Sequence, residues 1–277
     1  AVAGMRLGVS QAGIKMADHD DVVLISLAPG SSTSAVFTQN AFRAAPVLIA
    51  AEHQHTNRGQ AGWLLINTGN ANAGTGEPGK SMAIQSCQAV ADLTGSSIDS
   101  VLPFSTGVIG EPLSGELITQ ALPQALADLS DNNWERAAAA ILTTDTRAKL
   151  RSVSIDLDGQ TCVITGMAKG AGMICPNLAT MLGFIGTDAQ IAPDVLDTLL
   201  QIAVAASFNR ISVDGDTSTN DAVVLSATGQ SSVVLEAGSD HTTRFLDALT
   251  GLMIELAHDI VRDGEGATKF VEVRVKG

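Results

Sequence analysis

The segment Lys169-Gly170-Ala171-Gly172-Met173-Ile174-Cys175-Pro176-Asn177-Leu178-Ala179-Thr180-Met181-Leu182-Gly183 decides how this chain reads. A lysine and a run of small residues stand ahead of a threonine that opens an apolar stretch. Pro176 restricts the backbone and disfavours helix just upstream, so the approach to Thr180 is expected to be extended or turned. If the Ala179–Thr180 peptide bond were cut, Thr180 would carry a free amine beside its own hydroxyl, and a hydroxyl with a local base is an activated nucleophile. Each residue also has a plainer reading: threonine is favoured in strands, and a lone lysine among glycines is usually a solvated loop residue. The combination of Lys169, the glycines, Pro176 and the small Ala179 tips the balance towards a hidden nucleophile.

Working outward, Thr180 to Thr187 reads as a strand, and Lys149 to Ala168 alternates as a hairpin turning at Asp158-Gly159. Upstream, Asp21 to Ala28, Ser34 to Gln39, Trp63 to Asn67 and Val101 to Ser105 read as strands. Helices are expected from Pro46, over Glu77 to Leu93 with Gly95 as the stop, and twice between Ser114 and Leu142. Downstream come a helix from Pro193 to Phe208, a strand from Ala222 to Ala227, a helix from Thr242 to Val261 and a final strand from Lys269 to Val275. Strands and helices mixed in this way predict an α/β layered fold, with no internal repeat.

Composition narrows the function classes. A chain of 277 residues can bury a substantial core. The net charge of −13 and the absence of a Lys/Arg cluster argue against a nucleic-acid partner. No basic segment leads into an apolar one at the N-terminus and no apolar run is long enough to span a bilayer, so neither a signal peptide nor a membrane partner is expected. The 3 cysteines, Cys87, Cys162 and Cys175, form no close pair, which suits a reducing cytoplasm. No metal is expected. The 5 histidines show no ligand spacing beyond His53 and His55, which read as solvent-exposed near a helix end.

Other stretches invite sharper readings that their spacing does not sustain. Gly69, Gly74 and Gly76 match neither a Walker loop nor a dinucleotide fingerprint, and read as a tight loop shaping a pocket wall. Thr106 and Gly107 could aim a hydroxyl and a backbone N–H at an oxyanion, but on spacing alone they read as a strand-to-loop turn. Asp214 to Asp221 lacks the ligand positions of an EF-hand, and reads as a turn whose side chains bond local backbone.

Five blocks together carry a resemblance: Lys169 to Phe184, Ser105-Thr106-Gly107-Val108-Ile109-Gly110, Thr143-Thr144-Asp145-Thr146, Ser212 to Asp221, and Asp263-Gly264-Glu265-Gly266-Ala267-Thr268-Lys269. In this order they look like the ornithine acetyltransferase family, also called bifunctional glutamate N-acetyltransferases, enzymes of arginine biosynthesis. The resemblance implies a layered αββα sandwich with a second α/β region, of the self-cleaving N-terminal-nucleophile type. It implies autoproteolysis between Ala179 and Thr180 into an α fragment, residues 1–179, and a β fragment, residues 180–277, that stay associated as a dimer of heterodimers. Thr180 would then move acetyl from N-acetyl-L-ornithine to L-glutamate by a ping-pong cycle through an acetyl-threonine ester.

By the same resemblance, Thr106 and Gly107 form the oxyanion hole, and Thr143, Lys169, Thr180 and Glu265 bind substrate. A cationic Lys169 suits the substrate α-carboxylate, and Glu265 suits the amino-bearing end of ornithine. No cofactor is implied, although some members take acetyl-CoA as acetyl donor. Family β chains run on past the position of Lys276 and Gly277 and supply further substrate contacts from there. Two alternatives stay open: an amidohydrolase or aminopeptidase of similar architecture, and a chain that keeps binding or assembly without turnover.

Overall fold

The computed structural model describes residues 1–175 and 181–275. The strands β1 (Met5–Ser10), β2 (Val22–Leu27), β3 (Ser32–Phe37), β4 (Trp63–Asn70), β5 (Val101–Val108), β6 (Lys149–Leu157), β7 (Gln160–Lys169), β8 (Leu182–Thr187) and β10 (Ala222–Ala227) build two sheets. One has the order β1-β2-β4-β5 and the other β3-β10-β8-β7-β6. The short β9 (Gln190–Ile191) and β11 (Val234–Leu235) pair separately. Six helices accompany them: α1 (Ala45–Thr56), α2 (Gly76–Thr94), α3 (Gly115–Ala127), α4 (Trp134–Ala140), α5 (Pro193–Ala206) and α6 (Asp240–Arg262).

The strand period of two divides the side chains between layers. On β10, Ala222 and Val224 face the other sheet, while Val223 and Leu225 face helices. The middle layer joins Leu7, Ile25, Leu64 and Phe104 of the first sheet to Met167, Phe184 and Val224 of the second. Phe104 meets Phe184 edge to face across it, with centroids 5.1 Å apart; burying one such ring stabilises by about 1.5–3 kcal/mol. A second layer packs α1, α2 and α3 on the first sheet through Ile49, Cys87 and Leu122. A third packs α5 and α6 on the second through Leu196, Leu200, Phe245 and Leu256. This is the expected αββα sandwich, and its doubly covered strands explain why they read as nearly unbroken apolar runs.

Local chemistry sets most boundaries. Pro46 sits in the first turn of α1, and Gly95 ends α2 in the left-handed region with its N–H on Ala91 O. Asp158 and Gly159 both take positive φ, +58° and +86°, as a two-residue hairpin turn needs. Ser239 caps α6 by accepting from Thr242 N at 3.1 Å.

Four expectations change. β4 continues through Asn70, so the start of the glycine-rich loop is strand. Met5–Ser10 is a strand that the sequence reading passes over, although Met5, Leu7 and Val9 alternate inward. Lys269 to Val275 pairs with no strand among the described residues; Val271, Val273 and Val275 have the period but stand exposed, and period without a ladder partner makes no strand. His53 is buried instead of exposed, with Nδ1 2.7 Å from Val101 O, because α1 packs on β5. Thr180, expected to open β8, lies outside the described residues, as does Ala179.

Candidate active site

The carboxyl ends of β5 and β7 and the start of β8 converge on one small cleft, lined among others by Thr106, Gly107, Lys169, Met181, Asn220 and Asp221. Three of the sequence-predicted residues therefore meet there, next to the position that follows Thr180.

Thr106 and Gly107 lie inside β5, not in a turn after it. Register pairs Thr68 with Thr106 and Gly69 with Gly107, and a bulge at Gly69/Asn70 brings the β4 backbone against Gly107. Gly107 has φ +132°, and a Cβ there would stand 2.2 Å from Gly69 C and 2.5 Å from Asn70 N. No other residue fits, so the close approach that presents this backbone to the cleft is fixed by the missing side chain. Asn220 holds the bulge from the far side, donating to Ala71 O at 2.7 Å and Ser105 O at 3.0 Å.

Lys169 closes β7 opposite Leu182 of β8. Its side chain is almost fully buried, where the plain reading would have it solvated. Nζ donates to Thr143 Oγ1 at 2.6 Å, which brings the exposed Thr143 into the site, and faces Asp145 Oδ2 at 3.7 Å. Burial lowers the Lys169 pKa from its ordinary value, and Asp145 works against that shift.

Behind Lys169 lies a buried ion network. Asp145 Oδ1 accepts from Gly170 N and from Lys149 Nζ, each at 2.6 Å. Lys149 Nζ also donates to Asp263 Oδ2 at 2.6 Å, and Asp263 takes the Thr146 N–H at 3.0 Å and its hydroxyl. Burial pushes the Asp145 carboxyl up, but Lys169 and Lys149 outweigh it and leave the pKa lowered. At Asp263 burial is likewise outweighed, by the hydrogen bonds of Lys149 and Thr146. Two carboxylates and two ammonium groups thus pin the 143–146 loop and the turn after α6 to the end of β7.

Glu265 comes in from that turn. Its N–H donates to Ala171 O at 2.7 Å, and a Cβ on Gly172 would stand 3.0 Å from Glu265 Cδ. The exposed Glu265 therefore lies over the Gly170–Gly172 backbone beside Lys169.

The 212–221 segment does more than bond its own backbone. Asp214 accepts Asp216 N locally at 3.1 Å, but also Met173 N at 2.5 Å and Ile174 N at 2.9 Å. Ile174 O receives Val213 N at 2.9 Å and Ser212 Oγ at 3.1 Å. At its other end, Asp221 Oδ1 accepts Met181 N at 2.8 Å. Asp214 and Asp221 thus hold the chain on either side of residues 176–180. Met173, at φ +60°, is an uncommon non-glycine left-handed residue inside this clamp. Among the described residues no His, Cys, Asp or Glu group could hold a metal ion.

Asp145 and Asp263 carry no mark in the sequence, and Asp214 and Asp221 read only as turn residues, although all four sit in the five motif blocks. Acidic residues in a loop carry no mark of whom they will face.

Comparison with known proteins places this geometry. A model described as the ArgJ family matches residues 6–277. The chain belongs to the ArgJ family. The arginine biosynthesis bifunctional protein ArgJ of Methylococcus capsulatus is 54% identical over 276 residues, covering 99% of this chain and 67% of that relative. Among solved structures, the ornithine acetyltransferase of Mycobacterium tuberculosis, complexed with ornithine, matches with a TM-score of 0.55 and 30% identity over 65% of this chain and 94% of its own. An L-aminopeptidase D-Ala-esterase/amidase of Ochrobactrum anthropi, described as a variant of the Ntn hydrolase fold, matches over 94% of this chain and 84% of its own with a TM-score of 0.57 at 11% identity, a likeness of fold alone. ArgJ membership and the αββα sandwich thus agree with the expected family and fold. No helix among the described residues is long and apolar enough to cross a membrane.

Proposed function

We propose that this chain is an acetyltransferase of arginine biosynthesis that moves acetyl from N-acetylornithine to glutamate through an ester on Thr180, after cutting itself between Ala179 and Thr180. The observation that carries the reading is the convergence of Thr106, Gly107 and Lys169 on the cleft that also holds Met181, the residue bonded to Thr180. Family relatives named for arginine biosynthesis and the relative solved with ornithine support the substrate class.

In this reading the Thr180 hydroxyl attacks the acetyl carbonyl. The Gly107 N–H and Thr106 hydroxyl stabilise the oxyanion of the tetrahedral intermediate, the interaction that strengthens most as charge develops. Ornithine leaves, glutamate enters, and its amine attacks the acetyl ester through the same oxyanion hole. Lys169, oriented by Thr143 and Asp145, pairs with the α-carboxylate that both amino acids share. Glu265, at the exposed rim, meets the amino-bearing end of ornithine. No cofactor enters these steps; acetyl-CoA is a further acetyl donor to be tested. We place the enzyme in the cytoplasm, a compartment that suits its free cysteines Cys87, Cys162 and Cys175.

The topology supports fragments that stay together. A cut between residues 179 and 180 leaves β3, β6 and β7 on one fragment and β8 and β10 on the other, joined by the β7–β8 and β3–β10 ladders. Pairs of such heterodimers complete the proposed assembly.

Intact and denatured mass spectra test the cut: two fragments are expected, the second beginning at Thr180, and a single chain after Thr180→Ala. Incubation with N-acetylornithine tests the transfer. Ornithine release that depends on glutamate supports it, and release independent of glutamate replaces it with a hydrolase.

A further inference from the structure

Asn220 lines the cleft and has no part in the proposed cycle, yet every polar atom of its side chain is engaged. Asn67, Asn70, Asn72 and Asn220 are all buried about the ends of β4 and β5. The first three stand on β4 or just after it, in the first sheet. Asn220 reaches over from the second sheet, from the loop ahead of β10.

The Asn220 amide donates to two carbonyls, Ala71 O at 2.7 Å and Ser105 O at 3.0 Å. Its Oδ1 accepts the Thr219 hydroxyl at 2.6 Å, and its backbone N–H donates to Ser218 Oγ at 3.1 Å. Two carbonyls on one side of the amide settle which of its ends is the nitrogen.

These bonds close a ring. Ala71 N donates to Val108 O at 2.8 Å, so Ala71 is tied to β5 by its N–H and to Asn220 by its carbonyl. From Asn220 the ring passes to Ser105, along the chain through Thr106 and Gly107 to Val108, across to Ala71 and back. Both flanks of the Thr106–Gly107 pair are thus held from one side-chain amide. Ser105 is held a second time, where its hydroxyl donates to Asn67 Oδ1 at 2.6 Å.

We infer that Asn220 is a positioning residue for the Thr106–Gly107 pair, fixing this backbone before substrate arrives. The inference rests on the reading of that pair as the oxyanion hole. An oxyanion hole works through donors already aimed where charge develops, with no reorganisation during the reaction. The regular ladder is broken beside this pair by the bulge at Gly69/Asn70. Gly107, at φ +132°, has the conformational freedom of glycine, and a hydrogen-bonded ring that encloses it removes that freedom. A neutral amide suits the task. An aspartate of the same shape would offer no donor and would set a buried charge against two carbonyl oxygens.

The test measures acetyl transfer from N-acetylornithine to glutamate by the full chain, comparing wild type with Thr106→Ala, Asn220→Asp and the double variant, each checked for folding by thermal unfolding. Asn220→Asp is expected to lower kcat by on the order of 100-fold while KM for N-acetylornithine stays within about twofold, because the residue acts on the pair and not on the bound amino acid. Both substitutions disturb the same pair, so the double variant is expected to lose much less than the product of the two single losses. A full product, a loss confined to KM, or an Asn220→Asp enzyme within about twofold of wild type overturns the inference and leaves the oxyanion reading standing. Thr106→Ala with kcat unchanged overturns the oxyanion reading, and a wild-type chain that transfers no acetyl overturns the acetyltransferase reading; the inference falls with either. If Asn220→Asp does not fold, Asn220→Ala, which brings no charge, takes its place with the same outcomes. Hydrogen exchange in the wild type tests the ring without any substitution: the Asn220 side-chain amide protons and the Ala71 N–H should exchange at least about 100-fold more slowly than in an unstructured peptide, and exchange at the peptide rate overturns the inference.

Discussion

Replacing Lys149 by methionine tests the electrostatic frame behind the site. The Lys149 ammonium lies 2.6 Å from Asp145 Oδ1 and 2.6 Å from Asp263 Oδ2, with side-chain exposures of 0%, 0% and 3% for Lys149, Asp145 and Asp263. Methionine matches the stem in volume but leaves two buried carboxylates facing each other. Asp145 keeps Lys169 at 3.7 Å and Asp263 keeps the Thr146 donors, so one net charge is uncompensated. Breaking a buried pair by removing one partner costs about 3–5 kcal/mol.

The cost depends on pH with a definite sign. In the wild type both carboxyls are held below their ordinary value of 3.8, so their contribution is present above that pH and lost as the medium is acidified below it. In Lys149→Met burial dominates and raises at least one of the two, so that carboxyl destabilises the fold increasingly as pH rises. Urea unfolding at pH 4.5 and pH 7 should show a gap between the two proteins that widens at the higher pH. Equal midpoints at pH 7, or a gap that narrows on going from pH 4.5 to 7, would refute the argument.

Gly107→Ala puts a Cβ 2.2 Å from Gly69 C at a φ of +132°, and should cost about 3 kcal/mol or more in thermal unfolding while abolishing cleavage; a folded, cleaving Ala variant would contradict the tight β4–β5 approach. Asp214→Ala removes acceptors from Met173 N and Ile174 N, and should speed amide hydrogen exchange at those two positions and slow cleavage. Lys169→Ala should raise KM for N-acetylornithine much more than it alters self-cleavage, and the reverse pattern would move Lys169 from binding to the cut. In an uncleaved Thr180→Ala background, Asp221→Asn should stabilise the fold. A carboxyl raised from 3.8 to about 7 destabilises progressively as pH rises through that window, by up to about 4 kcal/mol at pH 8, and not at all below 3.8. Guanidinium unfolding at pH 3.5 and pH 8 reads the difference.

Local chemistry along the chain is enough to place most elements of the fold. β10 falls on Ala222 to Ala227 because a short apolar run between polar loops leaves no other register, and the Asp158-Gly159 turn follows from the two positive φ values a tight hairpin requires. α1, α2, α5 and α6 likewise announce themselves by proline, glycine and helical spacing. Lys169 and Thr180 were legible from their own surroundings in the sequence, whereas the family, and with it the roles of Thr106, Gly107, Thr143 and Glu265, came from the order of five motif blocks.

Which groups face one another depends on packing. That Gly107 stands inside a strand, that His53 is buried, and that the 269–275 segment has the period of a strand but no strand partner among the described residues all depend on contacts far away in sequence. The same holds for the charges. Lys149 reads as the first residue of a hairpin, yet it is fully buried between two carboxylates 4 and 114 residues away. Asp221 is one of several acids in a loop, and becomes singular only when β10 lies against β8 and sets it on Met181 N. Burial and pairing fix a group's pKa and its reach, and both are properties of the packed chain.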